Sequence, residues 1–392
     1  MKYIYTILFF STFSFCNTVR CQEVHQFQTF TDDWDPFTYE GSYIGDFFTN
    51  LNGGVKKGGG FLGMGNIRVA LDTKKAGWWK GGVLYVNGAA THGKSPSELV
   101  GDFQVVSNID AGDHMFIQEF WYKQTFGKFD VIVGLQDMNA EFLISEGGGK
   151  FMNSSFGVPS VISDNVPAPI FPLTTLGIEE KWNINESFVW QNALFDGNPT
   201  GFDKNKYNLD WQIKREDGLL AISELQMIKP IAGMPTTWLF GGYYHTKLKQ
   251  VDDSSGTMNT IFKNNRGLYT ILDQNVWHSS DSSRRFNYFL QVAYSPLKNN
   301  IHNYYFGAGI TYTGIFKKRE NDVFGLAVAN AGFHNFVHKH EIAIEFNYSY
   351  ELNENIHIQP NMQYLISPAG TDVKLDNALI GFVRVLINFQ KN

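Results

Sequence analysis

The chain has 392 residues, with 32 Lys and Arg against 38 Asp and Glu, a net charge of −6, and 16% aromatic residues. The negative balance argues against nucleic acid as a partner. A mean hydropathy of −0.22, with no apolar run of about 18 residues beyond the N-terminus, excludes a helical membrane protein. It does not exclude a membrane β-barrel, whose lumen-facing polar residues dilute the hydropathy.

The first segment, 1–21, reads as an export signal. Lys2 supplies the charged start and Ile4 to Phe15 the apolar stretch, with Val19 and Cys21 at −3 and −1 of a cut before Gln22. Its removal takes away both cysteines, so the exported chain would carry no disulfide. Residues 22–392 show no linker, charge run or low-complexity tract and are expected to form one outer-membrane barrel domain.

Segments of alternating character follow at short intervals. Predicted strands are Tyr43–Asn52, Phe61–Thr73, Gly81–Ala90, His114–Phe126, Phe129–Gln136, Leu173–Asn183, Glu186–Phe195, Asn208–Lys214, Leu219–Met227 and Thr236–Thr246. Gly267–Val276, Arg285–Tyr294, Asn303–Gly314, Asp322–Phe333, Glu341–Leu352, Asn355–Leu365 and Ala378–Phe389 complete the set. The last shows the pattern best: Val383, Val385, Ile387 and Phe389 share one face of an extended strand, and Arg384 and Asn388 the other. Repeats of about ten residues fit a closed antiparallel transmembrane β-barrel. An even number of strands is required, so one of the seventeen segments is surplus. Sixteen strands are expected, with Tyr43–Asn52 the segment to drop. Trp78, Trp79, Tyr243, Tyr244, Tyr304, Tyr305, Tyr348 and Tyr350 stand near strand ends, where an interfacial girdle belongs.

Two stretches break the rhythm, Asn87 to Asp113 and Asp137 to Pro172. Loops above about 15 residues are commonly functional. Their Gly, Pro, Asn and aromatic content suggests packed structure, and both read as constriction loops folded inward or as rim loops.

Within these stretches, Thr91-His92-Gly93-Lys94-Ser95-Pro96-Ser97-Glu98-Leu99-Val100-Gly101-Asp102 and Val106-Ser107-Asn108-Ile109-Asp110-Ala111 resemble the carbohydrate-selective porins of the OprB type. So do Val133-Gly134-Leu135-Gln136-Asp137-Met138-Asn139-Ala140-Glu141-Phe142 and Phe151-Met152-Asn153-Ser154-Ser155-Phe156-Gly157. Gly242-Tyr243-Tyr244-His245-Thr246, Leu272-Asp273-Gln274-Asn275-Val276-Trp277 and Ile358-Gln359-Pro360-Asn361-Met362-Gln363-Tyr364 continue the likeness in order. The resemblance implies sixteen strands in the outer membrane and passive diffusion of glucose-like monosaccharides and other small carbohydrates. It also implies a channel narrowed by inward loops and lined with Arg and acidic residues. Gln136 departs from the family, which often has Lys there, and Phe389-Gln390-Lys391-Asn392 carries the final aromatic three residues in from the end.

A sugar crossing a narrow passage must exchange its hydrogen bonds with water for bonds to the wall, and an unpaired hydroxyl costs about 1–3 kcal/mol. Guanidinium groups donate to hydroxyls and carboxylates accept from them. On strands, Arg68, Glu119 and Arg384 read as lumen-facing, against lipid-facing Val69, Ile117 and Val383. On loops, Glu98, Asp102, Asp137 and Glu141 are candidates to reach the same passage.

Catalytic readings gather little support. Glu141 and Glu146 lack any pattern that demands a glycosidase cleft, and His334, His338 and His340 fall in a turn between strands. Gly147-Gly148-Gly149-Lys150 lacks the remainder of a phosphate loop. No enzyme, metal or cofactor is expected. The expected partners are small carbohydrates and outer-membrane lipid, with the chain a monomer or weak homo-oligomer. The competing class is an exported β protein that transports nothing, either a structural barrel or a carbohydrate-binding sandwich.

Overall fold

The computed structural model describes residues 35–247, 251–252, 258–259, 264–296, 300–334 and 336–390. The segment 1–21 lies outside them. The barrel strands are β1 (Phe37–Asn52), β2 (Gly58–Asp72), β3 (Gly82–Gly93), β4 (His114–Phe126), β5 (Phe129–Gln136), β6 (Thr175–Asn185), β7 (Phe188–Asp196) and β8 (Leu219–Ile228). They continue with β9 (Thr236–His245), β10 (Asn265–His278), β11 (Arg285–Tyr294), β12 (His302–Thr313), β13 (Val323–Phe333), β14 (His340–Asn353), β15 (Ile356–Ile366) and β16 (Ala378–Gln390). Every strand is antiparallel to its sequence neighbours, and β1 pairs with β16, closing a sixteen-stranded barrel.

The alternation read from the sequence is the alternation of the wall. Ile67, Met115, Leu268, Phe306 and Val383 are exposed on the outside, as hydrocarbon-facing side chains must be. Trp190 and Trp277 mark the belt toward one end of the barrel, and Tyr244, Tyr294, Tyr304 and Tyr364 toward the other. The girdle expectation fails for Tyr243 and Tyr305: both point inward and are buried, because adjacent strand residues face opposite sides. Trp78 and Trp79 lie in the β2–β3 turn.

The surplus segment was misidentified. Tyr43–Asn52 belongs to β1, which closes the barrel against β16. Asn208–Lys214 is outside every ladder. It alternates because it lies extended on protein without joining the sheet. The Trp211 ring stacks on outward Phe120, and its Nε1 donates to the Asn208 carbonyl. Here β4 outruns β5, which pairs only with Phe120–Phe126, and the β7–β8 loop covers the bare edge. The Ile117 amide donates to the Tyr207 carbonyl (3.1 Å), and Asn208 Nδ2 donates to the Ile117 carbonyl (3.0 Å).

Ile117 and Glu119 are two residues apart, so a regular strand would put them on one face. A bulge separates them: Asn87 pairs with Glu119 and Gly88 with Ile117, leaving Gln118 as the extra residue. Glu119 is thereby turned in and buried.

The interior is less polar than the alternation implied. Along β16 the inward row is Ile380, Phe382, Arg384 and Leu386, three of its four members apolar. The β3–β4 and β5–β6 loops fold inside and carry their own apolar side chains. Met138, Phe142, Leu143, Phe151, Phe156 and Val161 pack with wall residues such as Ile222, Tyr269 and Phe289 into one core. Gly325 is required for this packing, since a Cβ there would come within 2.9 Å of the Phe151 ring.

Candidate functional site

A loop inside a lumen must satisfy its backbone groups, which otherwise cost the full desolvation of an unpaired amide. The wall supplies the partners. Glu341 on β14 accepts from the amides of Phe103 (2.7 Å), Gln104 (2.9 Å) and Ala369 (2.7 Å). Two same-face steps along the strand, Glu345 accepts from Met152 (2.7 Å) and Asn153 (2.9 Å). Asp273 on β10 accepts from Gly147 (2.8 Å) and Glu146 (3.2 Å), and Glu224 on β8 accepts from Leu143 (3.0 Å). Loop carbonyls are met by wall amides: Gln363 donates to Val106, Gln291 to Phe156, and Asn347 and Gln359 both to Lys150. These inward carboxylates and amides fasten the constriction loops to the barrel.

The residues singled out in the sequence divide into groups. Arg384 faces inward, as its alternation requires, but is only 1% exposed. Its Nε and a terminal nitrogen grip Asp46, and it also donates to Asn108 Oδ1 (2.9 Å) of the β3–β4 loop. Asp102, on the same loop, accepts from the Val106 amide (2.8 Å), and burial pushes its carboxyl up to about 6. Glu98 lies in the short helix Ser97–Val100, exposed at the loop-bearing end. Asp137 caps the turn that starts the β5–β6 loop, accepting from Asn139, Phe171 and Gln118 Nε2. Burial, and then repulsion by Glu119, push its carboxyl up to about 7. Glu119 accepts from Asn87 Nδ2 and Trp121 Nε1.

Two of the seven form part-exposed ion pairs. Glu141 on the β5–β6 loop forms an ion pair with Lys181 on β6 (3.0 Å), with about a fifth of each side chain exposed. Arg68 pairs with Glu40 across β1 and β2, each about a tenth exposed. Sequence reading missed Lys181, Asp46, Glu224, Asp273, Glu341 and Glu345. The signal was present for the last two, because Glu341-Ile342-Ala343-Ile344-Glu345 alternates charge and isoleucine as clearly as the stretch around Arg384.

A closed antiparallel β-barrel with an apolar outer belt and inward-fastened loops defines a transmembrane barrel of the outer-membrane class. The family model for the carbohydrate-selective porin, OprB family, matches residues 56–389, and the chain belongs to that family. It is similar to Porin B of Pseudomonas aeruginosa, at 23% identity over 89% of this chain and 87% of the relative. Among solved structures it resembles the high-pH structure of Pseudomonas putida OprB, with a TM-score of 0.80 at 21% identity, covering 90% of this chain and 94% of that one. The low-pH structure of the same protein matches with a TM-score of 0.59 at 17% identity, covering 90% and 93%. The chain is therefore an outer-membrane porin for passive, carbohydrate-selective diffusion of small sugars.

Proposed function

We propose that glucose-like monosaccharides pass through one barrel against a contact wall built from Lys181 and Glu141, continued by Arg68 and Glu40. The observation that carries this reading is the Lys181–Glu141 pair itself. It spans from wall to constriction loop while staying part-exposed, whereas Glu341, Glu345 and Glu224 are buried and used on loop amides. A sugar hydroxyl can accept from the ammonium and donate to the carboxylate in place of water, and bonds shared within the pair keep the hold weak enough for release. Each chain encloses its own lumen, which supports a single barrel as the unit of transport, without cofactor or energy input.

The test is the ion current through single pores in a planar bilayer, titrated with glucose. Lys181→Met should weaken glucose block about tenfold, the scale of one charge-assisted hydrogen bond. Block identical to wild type would remove Lys181 from the contact wall.

A further inference from the structure

The far inner wall holds a second arrangement of polar groups that neither the loops nor the Lys181 pair uses. Asn275, Asn287 and Thr311 are successive cross-strand partners on β10, β11 and β12. Asn275 Nδ2 donates to Asn287 Oδ1 (2.9 Å), and Asn287 Nδ2 donates to Thr311 Oγ1 (3.4 Å). One same-face step toward the short-turn end, Arg285 and Thr313 are also cross-strand partners. All five share the face of buried, inward Phe289 rather than the lipid face.

Two atoms in this cluster lack partners among the described residues. Asn275 is only 8% exposed, yet its Oδ1 accepts no hydrogen bond. Arg285 Nε is shut away from solvent with nothing to donate to. No hydrogen bond or ion pair joins the Arg285 side chain to another described residue, unlike Arg68, Arg319 and Arg384, which are all paired with acids. A guanidinium nitrogen and an amide oxygen thus stand unpaired on one face, beside the part-buried Asn287 and the buried Thr311 and Thr313.

We propose that Arg285, Asn275, Asn287, Thr311 and Thr313 form a second carbohydrate subsite at the periplasmic mouth, taking a neutral polyhydroxylated ring as it leaves the constriction. This rests on the reading of the pore as a sugar channel. One hydroxyl of a vicinal pair accepts from the terminal nitrogens of the part-buried Arg285 guanidinium while its neighbour bonds the part-buried Asn287 amide. Among the described residues no acid pairs with the guanidinium, so Arg285 is not spent on a neighbour as the two asparagines are. A sugar handed from the Lys181 wall to this one exchanges bonds in steps instead of losing them together, which suits conduction through several weak sites.

Glucose titration of single-pore current, with sugar added on the short-turn side, tests this. Arg285→Met and Asn287→Ala should each raise the half-blocking glucose concentration about tenfold. Arg285→Lys keeps the charge and secures the result if Arg285→Met fails to assemble. It should keep wild-type ion selectivity and still lose part of the block. Wild-type block in Arg285→Met and Arg285→Lys, with block lost in Lys181→Met, would overturn the second subsite alone. No glucose effect on the wild-type pore would instead overturn the sugar reading beneath it.

Discussion

Arg384 and Asp46 face each other across the seam where the two ends of the barrel meet, Nε to Oδ1 at 2.7 Å and a terminal nitrogen to Oδ2 at 2.8 Å. Ser107 Oγ of the inward β3–β4 loop donates to the same carboxylate (2.8 Å), and Asn108 Oδ1 accepts from the guanidinium. One ion pair therefore ties β1, β16 and a constriction loop together.

Breaking such a pair by removing one partner leaves a buried charge, which costs about 3–5 kcal/mol. Arg384→Met should lower the temperature at which the folded band converts on a gel, and loosen the β3–β4 loop. Asp46→Asn with Arg384→Met should recover much of the loss. If Arg384→Met melts with the wild type, the seam is not held this way.

Glu341 and Glu345 act on the loops and not on the strand ladder. Glu345→Gln replaces an acceptor of two amides by a group that accepts through only one atom, and a charge-assisted bond is worth about 1.5–3 kcal/mol. The expected outcome is a larger, noisier single-pore conductance with wild-type heat-modifiable mobility. Unchanged conductance would mean that Phe151, Phe156 and their apolar contacts hold the loop without the carboxylate.

Asp137 gives the β5–β6 loop a pH dependence of definite sign. Its carboxyl is raised by burial and by Glu119 to about 7, against about 3.9 in an unfolded chain. The folded loop therefore binds the proton more tightly than the unfolded one. Its contribution is complete below about pH 4 and is lost as pH rises through the folded value. Proteolysis within 137–172 should become faster between pH 5 and 8, on the scale of about one titrating group. Asp137→Asn should flatten that profile. A wild-type rate independent of pH would contradict the assignment.

Strand identity was legible because alternation is a local property, forced by lipid on one side. The same property misled at Asn208–Lys214, where an extended segment resting against Phe120 mimics a strand without pairing in the sheet. Glu119 faces inward only because of the Gln118 bulge, a register feature that depends on β3. Inward orientation was readable for Arg384; its burial was not, because Asp46 and Asn108 are hundreds of positions away in the chain. The acids Asp102 and Asp137 were visible as loop carboxylates, but their role in capping loop amides depends on where the loop returns. Arg285 looked like the start of one more strand, and only the closed barrel shows it unpaired beside Asn275 and Asn287.

A passage that admits sugars by exchanging hydrogen bonds with fixed groups distinguishes them from ions of like size. Liposomes carrying the purified chain, swelling in isosmotic glucose against a monovalent anion of like size, test it most directly. Faster swelling in glucose, reduced toward the anion rate by Lys181→Met, is the result expected here. Equal rates for both solutes, unaffected by that substitution, would leave a pore but contradict selection of carbohydrate by this wall.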